Sequence, residues 1–216
     1  MEKAIEKIRE QVRQQFMGEV TGHDWWHIKR VTDLSIYLGK KENANLQIVE
    51  IAALLHDIAD WKFHDGNENK GPEMAAEIMK SHAILNEISE QVTDIIKTIS
   101  FKGAGVATPM KTIEGKVVQD ADRLDAMGAI GIARAFAYGG SRNREIYNPD
   151  IKPEMHSSFG EYKKSKGHTI NHFYEKLLLL KDRMNTETAK EMAESRHGFM
   201  VEYLERFFGE WNLKSE

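Results

Sequence analysis

The sequence predicts an all-α fold. Apolar residues recur at spacings of three and four along most of the chain, glycine, proline and capping residues punctuate those runs, and strand-like alternation is scarce. A chain of 216 residues can bury a sizeable core without a disulfide or metal staple, so we expect one helical domain over 1–216. Hydrophobic residues at 41% and charged residues at 30% are the balance of a globular chain, which excludes a disordered or collagen-like one.

Each element has its own signal. Ile5, Ile8, Val12 and Phe16 make one face of a first helix, broken near Gly18 and Gly22. Asp24 can cap a helix from about 25 to 41 whose inner face carries His27, Val31, Leu34 and Leu38. Residues 46 to about 61 read as a third helix, rich in Ile, Ala and Leu. Gly71-Pro72 marks a break with proline at a first helical position, followed by a short helix with Met74 and Ile78 inward. Ile84, Ile88, Val92, Ile95 and Ile99 define a longer helix, stopped by Gly103 and Gly105. Helix is favoured again from about 112 to 138, where DAMGAIGIARAFAYGG implies close helix packing. Residues 139–168 hold few aliphatics and many charges, and we expect a surface excursion or lid there. Ile170, Phe173, Leu177 and Leu180 mark one further helix, and Met192, Phe199, Tyr203 and Phe207 another.

Composition narrows the chemistry. Cysteine is absent, so thiolate catalysis, disulfides and cysteine-ligated zinc are excluded, and a reducing cytoplasm is compatible. No run of 18 apolar residues offers a membrane span, and the charged N-terminal stretch lacks a signal-peptide core, so a cytoplasmic protein is expected. A net charge of −4 disfavours a general nucleic-acid binder. A phosphate site would therefore need a local group of cations or a metal.

The dipeptide His-Asp occurs as His23-Asp24, His56-Asp57 and His64-Asp65, and context separates them. His56-Asp57 follows the apolar run VEIAALL, where a buried imidazole and carboxylate are costly unless both are paired. His27 shares an apolar face with Val31 and Leu34, and Asp122 follows Val118 by four in KVVQDADRL. A divalent ion bound by His27, His56, Asp57 and Asp122 would satisfy all of them. Imidazoles and carboxylates without sulfur suit Mn, Fe, Ni, Mg or Zn.

The order His27, His56-Asp57, Asp122 resembles the H…HD…D signature of the HD-domain metal-dependent phosphohydrolases. The flanking words DWWHIKRV, AALLHDIAD and QDADRLDAMGAIGIAR carry the likeness, which spans roughly residues 20 to 180. HDWWH and NHFYEKL resemble a bacterial subgroup of small members, some of them similar to nucleotide pyrophosphohydrolases. The resemblance implies a helical bundle with a metal at its centre. It favours Asp122, in the context Ala-Asp-Arg-Leu, over Asp120 as the last ligand.

It also implies roles for other residues. Asp60 stands at the offset where relatives place an acidic residue that assists the hydrolytic water, and on a continuous helix it would share the side of His56 and Asp57. Arg30, Lys62, Lys102, His172 and Lys176 are candidate substrate-binding cations, the last pair four apart on one expected helix face. His23, Trp25 and Trp26 are expected to shape the entrance. Helix ends after the doublet offer no matching His ligands, so one metal ion is expected rather than two.

The expected activity is hydrolysis of a nucleotide by metal-activated water, releasing pyrophosphate from a (deoxy)nucleoside triphosphate. The alternatives are a phosphodiesterase or alarmone hydrolase on the same site, or a non-catalytic nucleotide sensor. The expected partner is a small phosphorylated molecule, with no membrane or nucleic acid, and a homo-oligomer is compatible.

Overall fold

The computed structural model describes residues 1–19, 22–59, 67, 69–158, 160–161 and 167–213. All regular secondary structure among them is helical. No helix among them is long and apolar enough to cross a membrane. The chain divides into two units, Met1–Lys102 with Val106–Asp122, and Gly103–Gly105 with Arg123–Glu216.

The first unit is built from α1 (Glu2–Phe16), α2 (Trp25–Lys41), α3 (Leu46–Leu55), α4 (Lys70–Ser81), α5 (Asn86–Thr98) and most of α6 (Ile113–Asp125). α1 buries Ile5, Ile8 and Val12, and its Arg9 pairs with Glu50 of α3. α2 has the expected bounds because Asp24 caps it, its side chain accepting a hydrogen bond from the His27 N–H. α3 is buried nearly all round, from Ile48 to Leu55, and packs against α1, α2 and α5.

α3 is shorter than its apolar run implied. It ends at Leu55, and residues 56–59 form turns in which the Ile58 N–H donates back to the Leu55 carbonyl. His56-Asp57 therefore sits in a tightened turn at a helix end, not within a continuous helix. Residues 60–66 lie outside the described residues, and with them the catalytic candidate Asp60, the cation candidate Lys62 and the pair His64-Asp65. α4 starts two residues earlier than Gly71-Pro72 implied, which places Pro72 third in the helix, where no intrahelical N–H partner is lost.

The second unit contains the end of α6, α7 (Gly128–Ser141), α8 (Thr169–Glu175), a 3₁₀ segment (Leu177–Arg183) and α9 (Glu187–Trp211). The helix expected across 112–138 is broken at 126–127. Gly128 has φ of +69°, and a Cβ on Gly131 would lie 2.2 Å from the Ala126 carbonyl oxygen, so the glycines permit the corner. Arg196 donates to the Leu124 carbonyl, and Arg134 pairs with Asp125 at 3.1 Å, which supplies partners for the buried end of α6.

The helix expected through Leu180 is also broken. Lys176, at φ −142° and ψ −59°, ends α8, and Leu177 and Leu180 are buried from the 3₁₀ segment. Lys176 closes the last turn of α8, its N–H donating to the His172 carbonyl at 3.0 Å. α9 buries Ala189, Ala193, Met200 and Leu204, one position away from the expected stripe, and leaves Phe199 exposed. Three carbonyls of the expected excursion accept backbone hydrogen bonds. The Thr169 and Ile170 N–H groups donate to the Glu145 and Ile146 carbonyls, and the Gly105 N–H donates to the His156 carbonyl.

Candidate metal centre

Four side chains from three places in the first unit converge. His27 stands in the first turn of α2, His56 and Asp57 in the turn that follows α3, and Asp122 on α6. The His27 and His56 Nε2 atoms are 3.2 Å apart. Asp57 Oδ2 lies 3.2 Å from His27 Nε2 and 3.6 Å from His56 Nε2. Asp122 Oδ1 lies 3.7 and 3.8 Å from the same two nitrogens. The imidazoles are sealed in the interior, while the Asp57 and Asp122 side chains keep 15% and 33% exposure, so solvent reaches the cluster from the carboxylate side.

Each of these positions has a local cause. Asp24 fixes the start of α2 and so the direction of His27. His56 Nδ1 is 2.7 Å from the Ala53 carbonyl, which can only accept, so Nδ1 carries the proton and Nε2 presents its lone pair inward. Gln15 of α1 donates to the Ile58 carbonyl and braces the turn that carries the doublet. Gln119 is fully buried and its amide nitrogen lies 3.1 Å from the Thr108 carbonyl and 3.3 Å from that of Ile99, which sets the rotation of α6 one turn before Asp122.

The donor set fits a divalent cation. Two donors each about 2.1 Å from a shared ion lie about 3.0 Å apart at a right angle and about 3.4 Å apart at the tetrahedral angle. The nitrogen–nitrogen and nitrogen–oxygen separations of 3.2 to 3.8 Å sit close to that range. Among the described residues the groups able to hold a metal are His27, His56, Asp122 and His23, His27, Asp57; they share His27 and so describe one centre. Burial opposes charge on Asp57, but the His56 and His23 imidazoles, with hydrogen bonds from His23 and His27, outweigh it and hold the carboxyl well below the usual range.

The other candidates fall as follows. Asp120 is fully buried, two residues from Asp122, and is not in either metal-binding group. Arg30 is half-buried on α2, three residues beyond His27. Lys102 is half-buried in the first unit, four residues past the end of α5. His172 and Lys176 belong to the second unit. Trp25 is buried and Trp26 is 57% exposed. His23, expected only at the entrance, instead touches Asp57 at 2.7 Å. The signal for it was present in HDWWH, where two histidines flank a capping aspartate.

Residues 25–127 match the HD domain family. The uncharacterized protein YpgQ of Bacillus subtilis is 42% identical over 203 residues, 94% of this chain and 91% of that protein. A Lactobacillus plantarum protein superposes with a TM-score of 0.89 at 36% identity over 99% of both chains. An HD-superfamily hydrolase from Bacillus thuringiensis gives a TM-score of 0.73 at 43% identity over 98% of both. The structure of YpgQ in complex with ADP gives 0.73 at 41% identity, covering 94% of this chain and 95% of that one. A shared sequence, a shared fold and a histidine–aspartate cluster able to hold a metal ion lead to one assignment: the chain belongs to the HD-domain family, and its relatives there include HD-superfamily hydrolases.

Proposed function

We propose that the protein is a metal-dependent phosphohydrolase that cleaves a nucleoside triphosphate to the monophosphate and pyrophosphate. The observation that carries this is the convergence of Asp57 and Asp122 on the paired Nε2 atoms of His27 and His56. The ADP complex of YpgQ supports a nucleotide as the ligand class for a relative this similar.

In this reading one divalent ion is held by the four side chains. When bound there it supplies Lewis acidity toward a phosphoryl oxygen and makes water more acidic near neutral pH. The buried imidazoles would hold the ion, and the partly exposed carboxylates would face the substrate. Asp60 accepts the proton as a water oxygen bonds to the α-phosphorus, and the bond from that phosphorus to the bridging oxygen breaks to release pyrophosphate. Arg30, Lys62 and Lys102 bind the phosphates.

The test is incubation of manganese-loaded protein with a panel of nucleoside mono-, di- and triphosphates, dinucleotides and diesters. Phosphate, pyrophosphate and nucleotide products are followed by chromatography. Monophosphate plus pyrophosphate is expected from a triphosphate. Cleavage of a diester alone would replace this reading, and no turnover of any phosphorylated compound at full metal occupancy would refute it.

A further inference from the structure

We infer that His23 is a positioning residue for the metal centre, whose imidazole N–H fixes the Asp57 carboxylate without itself binding the ion. The inference rests on the metal-binding reading above. Asp24 caps α2, so His23 stands just before the helix and His27 is its third residue. Gly22, at φ of +84°, makes the turn that precedes them. A spacing of four within a helix would stack the two rings along one face. Here it spans a helix start, so the rings approach edge to face, with centroids 5.5 Å apart and planes at 77°.

The distances separate two kinds of contact. His23 Nδ1 lies 2.7 Å from Asp57 Oδ2, the length of a hydrogen bond to an ionised acceptor. The same oxygen lies 3.2 Å from His27 Nε2, a longer contact that a shared ion would replace, and 3.6 Å from His56 Nε2. A carboxylate can only accept, so His23 Nδ1 carries the proton and donates it. His23 thus holds the oxygen of Asp57 that faces the histidine pair. It does for the carboxylate what the Ala53 carbonyl does for His56. Asparagine places an N–H at the same number of bonds from the backbone as histidine Nδ1, so it can keep this contact where leucine cannot.

The test compares manganese binding by wild type, His23→Asn and His23→Leu using calorimetry. Wild type should bind one equivalent, His23→Asn should stay within about threefold, and His23→Leu should bind about 10- to 100-fold more weakly. His23→Leu binding as tightly as wild type would overturn the proposal. Wild type failing to bind manganese would overturn the metal-binding reading itself and this inference with it. A second measurement needs no variant: nitrogen NMR of the imidazoles in metal-free and zinc-loaded wild type. His23 Nδ1 should be protonated in both. An unprotonated Nδ1 in the metal-free protein, or a zinc-bound Nδ1 in the loaded one, would refute a positioning role.

Discussion

Replacing Gln119 by methionine removes one side-chain amide from the interior and nearly keeps its volume. The amide nitrogen of Gln119 lies 3.1 Å from the Thr108 carbonyl, 3.3 Å from Ile99 and 3.5 Å from Thr98. It has two hydrogens, so the two shorter contacts dominate. A net hydrogen bond contributes about 1 kcal/mol, and a buried acceptor left alone costs about 1–3 kcal/mol. The Ile99 contact is fully buried and the Thr108 contact only partly so, which points to a loss of about 2–3 kcal/mol. For a protein of this size each kcal/mol lowers Tm by about 2–4 °C, so calorimetry should show a fall of about 4–12 °C. Metal affinity should fall too, because Asp122 follows one turn later on the same helix. A Tm within about 1 °C of wild type would refute the idea that this amide sets α6.

Asp24→Ala should destabilise the first unit by about 1 kcal/mol and weaken manganese binding, whereas Asp24→Ser should restore most of both; urea unfolding and calorimetry read the two effects. Gly131→Ala should cost about 1–3 kcal/mol in urea unfolding, because the new methyl meets the Ala126 carbonyl, which is backbone and cannot swing away. In metal-free protein, burial raises the Asp57 carboxyl but the His56 and His23 imidazoles and the hydrogen bonds from His23 and His27 lower it further. Its ionised form therefore adds stability above the unfolded value near about 4, and that stability is lost as pH falls through the lower folded value. The difference in urea midpoint between wild type and Asp57→Asn should thus shrink as pH falls from about 5 to about 3.

The centre was legible because its residue types violate their surroundings. His27 and His56-Asp57 follow or lie within apolar runs, where imidazoles and carboxylates need partners. α2 was legible to the residue because a capping side chain fixes its start. What the sequence hid depends on backbone geometry and distant acceptors. The corner between α6 and α7 needs Gly128 at positive φ and Gly131 against the Ala126 carbonyl, neither of which alters helical periodicity. The apolar run through residue 61 concealed that α3 stops at Leu55, since turn residues can be as buried as helical ones. Gln119 gave no signal because its acceptors lie 11 to 21 residues away. In α9 both Phe199 and Met200 are apolar, and packing alone chose Met200. The contact of His23 with Asp57 gave no signal because the two residues lie 34 apart in the chain.

Anomalous diffraction from manganese-soaked crystals tests the central claim most directly. One peak is expected, about 2.0–2.3 Å from His27 Nε2, His56 Nε2, Asp57 Oδ2 and an Asp122 carboxylate oxygen. A fully occupied ion elsewhere in the protein, with these four side chains bonded only to one another, would contradict the account.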